Sequence, residues 1–227
     1  MATQTVTIYW AGDLFDFKDL AGNVEIAAAV EAQSGSRYQV KLPQLSESNS
    51  KRSVTAIRDA DLELLINCDA IVANFDGSDL DSGTVVEFCF AKMLDMPGVL
   101  LRTDFRTGSD QSDGGEPWNL MCSGYPRTAS LVLNGMKLFH HHWDKDGSRQ
   151  EKLTSYRNDI ARRVIAALDK CAAEKPLFSP GELVEHYLKI ITAAGGTLPE
   201  LFPRKRVEAL VAEKAAKGRQ NDIKELF

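Results

Sequence analysis

Residues Ala70–Phe75 read Ala-Ile-Val-Ala-Asn-Phe, an almost continuous apolar run that is typical of a strand buried on both faces of a sheet. A turn-rich stretch follows, and apolar residues then recur at helical spacing from about Thr84 to Leu94. A second short apolar run covers Val99–Arg102. Strand, helix and strand in this order predict a βαβ unit, in which the two strands lie parallel.

The residues before this unit repeat the same alternation. β-Branched and aromatic residues predict a strand over Thr5–Trp10, and a second short strand over Tyr38–Leu42 ends at a proline. Apolar residues at helical spacing cover Lys18–Gln33 and Val54–Asn67. We therefore predict an α/β fold, a doubly wound, flavodoxin-like parallel sheet with helices on both of its faces.

After residue 130 the alternation of strands and helices gives way to two short predicted strands. Leu131–Leu133 and Lys137–Phe139 are predicted as edge strands on either side of Asn134-Gly135. The three histidines at 140–142 then fall at the solvated end of a strand, where adjacent side chains point to alternate faces. We therefore predict no metal site there.

The rest of the chain is predicted to be helical. Apolar residues on one face indicate a long helix over Glu151–Ala173, and the composition is helical and charge-rich after Pro176. We predict two parts, an α/β domain at residues 1–145 and a C-terminal helical extension at residues 146–227 that packs on it.

The composition argues against several classes of protein. Lys+Arg 27 and Asp+Glu 32 leave a net charge of −5, whereas a dedicated nucleic-acid binder usually carries a basic surplus. No apolar run approaches the ~18 residues of a membrane span, and Met1–Thr5 has no basic or apolar signal character. The four cysteines form no CxxC pair, which favours free thiols over a zinc site. We expect a cytoplasmic protein without nucleic-acid or membrane partners.

Carboxylates are concentrated where the buried strand ends. Asp76, Asp79 and Asp81 lie in the loop after Phe75, and Glu87 lies among apolar residues early in the next helix. In doubly wound sheets, ligands bind beyond the carboxyl ends of the strands. The alternative interpretation is structural, because acids often cap helices or are solvated in loops. Paired carboxylates at a ligand pocket are well suited to glycosidic chemistry.

Three segments resemble the nucleoside 2-deoxyribosyltransferase family, whose members move 2-deoxyribose between nucleobases. They are Thr7–Gly12, the Asp-x-Gly-x-x-x-Glu motif within Asp81–Ala91, and Pro117–Gly124. The resemblance extends over roughly Thr7 to Gly124. It implies a covalent deoxyribosyl-carboxylate intermediate, with no metal or organic cofactor.

The resemblance also assigns roles to residues. It implies that Glu87 is the nucleophile, that Tyr9 positions it, and that Asp61 handles the proton of the base. It places Asp81 at the sugar hydroxyls and Asn119 in the site of a neighbouring subunit. Two glycines, Gly12 and Gly83, are added as substrate-binding positions, since Gly83 leaves room for a close approach to the backbone.

The implied partners are 2-deoxyribonucleosides and free nucleobases, and the implied assembly is a homo-oligomer, a dimer or larger. The sequence departs from the family pattern in two places. Gln44 is the sole candidate for a base-recognising glutamine, and the chain continues well past Leu138, so that Phe227 would have to reach back to bring its carboxylate near the site.

Two other functions fit the same residues. A 2-deoxynucleoside 5′-monophosphate N-hydrolase would use water as acceptor and would need phosphate ligands, which the segment Ser46–Arg52 offers in its serines, Lys51 and Arg52. A non-enzymatic nucleotide-binding module would keep the fold without the chemistry. An enzyme is favoured because all five polar residues that the resemblance places in the site are present: Tyr9, Asp61, Asp81, Glu87 and Asn119.

Overall fold

A computed structural model of the chain describes residues 5–46, 53–106 and 116–224, with side chains described as far as residue 217. Five strands form one sheet: β1 (Val6–Ala11), β2 (Tyr38–Lys41), β3 (Ala70–Asn74), β4 (Gly98–Arg102) and β5 (Thr128–Val132). Their spatial order is β2-β1-β3-β4-β5, and every pairing is parallel. The predicted doubly wound α/β fold is confirmed.

The helices alternate with these strands and then continue beyond them. They are α1 (Phe17–Gln33), α2 (Pro43–Ser46), α3 (Val54–Asn67), α4 (Ser82–Met93), α5 (Gly135–Trp143), α6 (Arg149–Ala173), α7 (Pro180–Ala194), α8 (Leu198–Leu201) and α9 (Arg204–Lys224). A short 3₁₀ helix covers Leu120–Cys122. Within the described residues, no helix is both long enough and apolar enough to cross a membrane.

Strand β1 shows how the sheet divides the interior into two cores. Successive side chains of a strand point to opposite faces, so Tyr9 and Ala11 belong to a core with α3 and α4. Ile8 and Trp10 belong to a second core with α1 and α6. Each face is therefore closed by a pair of helices, as in other doubly wound sheets.

The last helices are fastened to the α3 and α4 face. Tyr187 of α7 and Val211 of α9 are buried in the first core. Thr197, just before α8, donates to the buried carboxylate of Asp59 on α3 from its backbone N (2.7 Å) and Oγ1 (2.9 Å). Lys217 of α9 forms a 3.0 Å ion pair with Asp69, next to β3.

Helix α6, which the sequence analysis placed in the extension, covers the other face of the sheet. Its buried side chains, among them Val164 and Leu168, share the second core with Val30 of α1. Helix α6 also contacts the sheet edge, because Arg37, just before β2, donates from both terminal nitrogens of its guanidinium to the carboxylate of Asp169. The first helix after residue 146 thus forms one layer with α1.

The predicted strand at Lys137–Phe139 is wrong, because this segment belongs to helix α5. Asn134 caps the helix by accepting a 2.8 Å hydrogen bond from the backbone N of Lys137. A side chain at Gly135 would meet the carbonyl oxygen of Thr103 at 2.6 Å, so glycine is needed at this close approach. The Asn-Gly pair therefore begins a helix instead of a hairpin.

The solvated strand end predicted for the histidines is wrong for the same reason. His142 is buried between α5 and α6, where its ring nitrogens contact Ser155 Oγ at 2.8 Å and Asp159 Oδ2 at 3.1 Å. Ser155 and Asp159 are one turn apart on α6, and Asp159 also accepts from Arg163. These contacts join two helices, which is the structural role that we assign to His142.

Candidate active site

Two residues from separate elements meet at the centre of the candidate site. Tyr9 Oη donates a hydrogen bond of 2.5 Å to Glu87 Oε1. Tyr9 lies on β1 and is fully buried, whereas Glu87 lies in the second turn of α4 and is half-buried. The contact forms because β1 pairs directly with β3, the strand that precedes α4.

Burial controls the protonation of both groups. It raises the pKa of Glu87 to about 7; the hydrogen bond from Tyr9 lowers that pKa, and the charges of Asp61 and Asp81 raise it further. Burial also raises the pKa of Tyr9 far above its ordinary value, and the neighbouring charge of Glu87 adds to the rise. Tyr9 therefore acts at neutral pH as a hydrogen-bond donor, and Glu87 titrates in the physiological range.

Asp61 is the second carboxylate near this pair. It lies on α3, one residue before Leu62, which is buried against the same core as Tyr9. Its charge acts on the pKa of both Tyr9 and Glu87. The structure thus places Asp61 close enough to Tyr9 and Glu87 for its charge to affect both groups.

Asp81 has a structural role in addition to its proximity to Glu87. Its Oδ2 caps α4 by accepting hydrogen bonds from Thr84 N (2.7 Å) and Thr84 Oγ1 (2.8 Å). A Cβ at Gly83 would lie 3.1 Å from the same oxygen. The close approach at Gly83 is therefore made by the capping carboxylate of Asp81.

A similar close contact surrounds Gly12 at the end of β1. A Cβ there would lie 3.2 Å from Asn74 Cβ and 3.8 Å from Asn23 Oδ1. Asn74 is the last residue of β3. The missing side chain at Gly12 lets the ends of the two strands pack closely beside the candidate site.

Arg102 holds the loop between β3 and α4, and the sequence analysis did not identify it. Its buried guanidinium donates to the carbonyl oxygens of Phe75 (2.6 Å), Gly77 (3.0 Å) and Arg106 (3.3 Å). Asp76, in the same loop, accepts from the backbone N of Thr103 at 2.5 Å. One feature of the sequence points to Arg102: it is a charged residue at the end of an otherwise apolar strand.

The family of the chain is decided by its first half. The family model for nucleoside 2-deoxyribosyltransferase matches residues 8–121, which is half of the chain. The chain belongs to the nucleoside 2-deoxyribosyltransferase family. The matched region contains Tyr9, Asp61, Asp81, Glu87 and Asn119.

Comparison with solved structures finds, among others, two that match much of this chain at low sequence identity. A conserved protein from Enterococcus faecalis V583 is 20% identical, with a TM-score of 0.47, over 74% of this chain and 99% of that one. A 2-desoxiribosyltransferase from Leishmania mexicana is 23% identical, with a TM-score of 0.45, over 63% of this chain and 99% of that one. The comparison with curated protein sequences found no match.

The family asparagine lies on a short 3₁₀ turn at the surface. Asn119 is exposed, and its Oδ1 accepts a 3.0 Å hydrogen bond from the backbone N of Met121. The apolar residues near Asn119 differ in exposure: Trp118 is buried against Phe75 with ring centroids 5.7 Å apart, whereas Met121 is 73% exposed. From the sequence alone we expect both Trp118 and Met121 to be exposed, as the sides of an interface patch around Asn119; for Trp118 this expectation is wrong.

Gln44, the candidate for base recognition, is already engaged by α1. Its Nε2 donates to the carbonyl oxygen of Leu20 at 2.9 Å, and its Oε1 accepts from Asn23 Nδ2 at 3.2 Å. Of the candidate phosphate ligands, Ser46 is the last residue of α2. The others, Ser48, Ser50, Lys51 and Arg52, lie outside the residues that the structure describes, as does Phe227. Among the described residues, no group of three His, Cys, Asp or Glu side chains is placed to hold a metal ion.

Proposed function

We propose that the protein is a nucleoside 2-deoxyribosyltransferase that exchanges the nucleobase of 2-deoxyribonucleosides, a reaction of nucleoside salvage. The observation that supports this most directly is the 2.5 Å hydrogen bond between Tyr9 and Glu87, next to the charges of Asp61 and Asp81. A carboxylate held in one orientation by a buried donor is suited to attack at a sugar carbon.

In the first half of the reaction, a carboxylate oxygen of Glu87 forms a bond to C1′ of the deoxyribose. The C1′–N bond breaks, and the departing base keeps the electron pair and takes a proton from Asp61. The transition state resembles an oxocarbenium ion, which forms more readily without an electron-withdrawing 2′-hydroxyl. Tyr9 remains protonated throughout and keeps Glu87 in line.

In the second half, a nitrogen of the incoming base attacks C1′ and the bond to Glu87 breaks. The incoming base gives its proton to Asp61, which restores the starting state of the enzyme. Two inversions at C1′ leave the configuration of the nucleoside unchanged. Asp81 contributes through the sugar hydroxyls, and its cap on Thr84 fixes the start of the helix that carries Glu87.

Base exchange is the test of this proposal. Deoxyinosine plus adenine, and thymidine plus adenine, are incubated with the protein, and new nucleosides are separated by chromatography. We expect deoxyadenosine from at least one pair, and activity near background in Glu87→Ala. Glu208→Ala, which changes an exposed glutamate on α9, serves as the control.

A trapped intermediate tests the nucleophile directly. A slow 2-fluorinated nucleoside should leave its sugar on the peptide that contains Glu87, as read by mass spectrometry. Release of base from deoxyadenosine 5′-monophosphate without an acceptor base, together with no exchange, would replace the transferase by an N-hydrolase. No reaction with any deoxynucleoside would support a non-enzymatic module.

A further inference from the structure

A cavity of about 600 Å³ lies on the opposite face of the sheet from Glu87, between α1 and α6. Trp10 of β1 and Leu101 of β4, which belong to the second core, line it, and Asn74 stands at its edge at the end of β3. Tyr9, the neighbour of Trp10, points into the first core. The cavity is thus separate from the Tyr9–Glu87 pair, and its volume is typical of small-molecule sites.

Unpartnered polar atoms are concentrated around this cavity. Among the described residues, five buried side-chain nitrogen or oxygen atoms have no hydrogen-bond partner. Three of the five belong to residues that line the cavity: Asp13 Oδ1, Asn74 Oδ1 and Arg157 Nε. Burial of a polar atom without a partner is costly, and such atoms in native structures call for an explanation. None of the three atoms has appreciable accessible surface as placed, so a bound molecule with N–H donors and at least one acceptor would satisfy them after these side chains turn toward the cavity.

The wall beside these atoms is apolar and firmly built. Trp10 is 2% exposed, and its Nε1 donates to Asn23 Oδ1 at 3.2 Å. Asn23 in turn donates to the carbonyl oxygen of Asp13 at 2.9 Å, which fixes the loop after β1. Ile160 of α6 lines the same space. An aromatic and aliphatic wall with a few oriented polar groups suits a flat ring.

The charge of the lining disfavours an anion. Four acidic and two basic side chains line the cavity: Asp13, Asp19, Glu25, Asp76, Lys18 and Arg157. Arg157 is paired with Glu25, and Asp76 is engaged by backbone N–H groups. Burial and the charges of neighbouring acids raise the pKa of Asp13. The excess of acidic side chains would repel a phosphate, and no unpaired guanidinium of the lining is available to bind it. A neutral molecule would not be repelled.

We propose that this cavity is a second, non-catalytic site that binds a free amino-bearing nucleobase through Asp13, Asn74 and Arg157, with the ring against Trp10. The identity of the ligand class rests on the proposed function, which supplies such bases as substrates and products. The oxygens of Asp13 and Asn74 accept from the amino and ring N–H groups of the base. Arg157 Nε donates to a ring nitrogen or carbonyl oxygen.

Gly22 offers a way to fill the cavity without disturbing the fold. It lies on α1 between Lys18 and Ile26, four residues from each, so it shares their cavity-lining face. A Cβ at Gly22 would meet no atom within 4 Å. Replacement of a glycine within a helix also favours folding. Gly181 of α7, whose Cβ would likewise meet no atom within 4 Å, is the matched control.

The test is calorimetric titration of the wild-type chain with adenine, and separately with cytosine, in the absence of any nucleoside. We expect saturable binding of at least one base that is weakened tenfold or more in Gly22→Leu and retained in Gly181→Leu. Arg157→Met should weaken the same binding, whereas Arg162→Met should not, because it removes another arginine of α6, one that contacts Gln33 of α1.

Three results would overturn the proposal: no binding of either base, binding of equal strength in Gly22→Leu, or Gly22-dependent binding of inorganic phosphate instead of a base. Because no sugar donor is present, the titration is independent of turnover. Gly22-dependent binding by a chain that catalyses no exchange would defeat the proposed function alone, whereas exchange without such binding would defeat the cavity proposal alone.

Discussion

Tyr9 Oη lies 2.5 Å from Glu87 Oε1, although the two residues are 78 positions apart in the chain. The contact depends on the register of the sheet, in which Tyr9 is opposite Ile71. A shift of one residue in β1 would turn Trp10 toward α4 and Tyr9 toward α1. The geometry of the candidate nucleophile is therefore set by the pairing of two buried strands.

The first prediction concerns the pH dependence of exchange. Attack requires the ionised form of Glu87, whose pKa burial raises to about 7. We expect kcat/KM to fall about tenfold per pH unit on the acid side of this value, because the protonated carboxyl cannot attack. A pH profile measured between pH 5 and 9 checks this. An acid limb centred near the ordinary value of a glutamate would show that Glu87 is not the titrating nucleophile.

The second prediction concerns Tyr9→Phe. The hydrogen bond from Tyr9 lowers the pKa of Glu87, so its loss should move the acid limb of the pH profile to higher pH. We expect exchange at pH 7 to fall about 10- to 100-fold, because a charge-assisted hydrogen bond is lost and the carboxylate is less well oriented. Tyr187→Phe, at another buried tyrosine far along the chain, is the control. An unchanged limb would mean that Tyr9 does not act on Glu87.

The third prediction concerns stability. The pKa of Glu87 is about 7 in the folded chain, against an ordinary value of 4.5, so the folded state binds more protons between these values. The contribution of Glu87 to stability is therefore fully present below about pH 4.5 and is lost as the pH rises to about 7. Glu87→Gln should raise the free energy of unfolding at pH 8 by about 1–3 kcal/mol.

Urea unfolding at pH 8 and pH 4.5 measures this effect. The difference between Glu87→Gln and wild type should largely vanish at pH 4.5, where the native carboxyl is already neutral. Glu208→Gln changes an exposed glutamate and should show no pH-dependent gain. An equal gain at both pH values would mean that the ionisation of Glu87 is not the cause.

Strong local patterns allowed most of the sheet to be predicted from the sequence. The helix predicted over Val54–Asn67 has those bounds in the structure, because Ser53 caps it and β3 follows. Helix α5 is not predicted because its nine residues are too few for a clear helical periodicity. The Asn-Gly pair before it also resembles a hairpin turn, and the need for glycine at 135 arises from the carbonyl oxygen of Thr103. Local sequence does not reveal a steric requirement set by a distant carbonyl group.

The candidate site was predicted only in part for the same reason. The family resemblance implies roles for Tyr9, Asp61 and Glu87, but it does not indicate that Asp81 also caps α4 through Thr84. Trp118 was expected at the surface and is buried against Phe75, since an aromatic residue within a polar loop gives no sign of which ring it meets. Tertiary packing decides such positions.

The fourth prediction concerns Arg102, which binds two carbonyl groups at the start of the loop that leads to Asp81 and a third, that of Arg106, in the loop after β4. Arg102→Met should lower the free energy of unfolding by about 2–4 kcal/mol, because buried carbonyl oxygens lose their donors. Denaturant unfolding measures this, with Arg162→Met on exposed α6 surface as control. A loss below about 0.5 kcal/mol would show that the loop is held by other contacts.

The last prediction concerns assembly and Asn119. Asn119 is exposed beside Leu120 and Met121, which are 45% and 73% exposed, so this turn presents apolar surface next to an amide. Exposed apolar groups around a polar side chain are typical of an interface. Together with the family resemblance, this leads us to expect that Asn119 completes the site of a neighbouring subunit in a homo-oligomer.

Asn119→Asp tests this role without disturbing the turn. Its carboxylate can still accept the capping hydrogen bond from Met121 N, while the amide donor is lost. Alone, Asn119→Asp and Glu87→Ala should each have little activity. In a dimer, mixing equal amounts should restore about a quarter of the wild-type activity, since half of the dimers are mixed and each contains one intact site. If activity stays absent after subunit exchange has been verified by mass spectrometry, Asn119 acts within its own chain or outside the site.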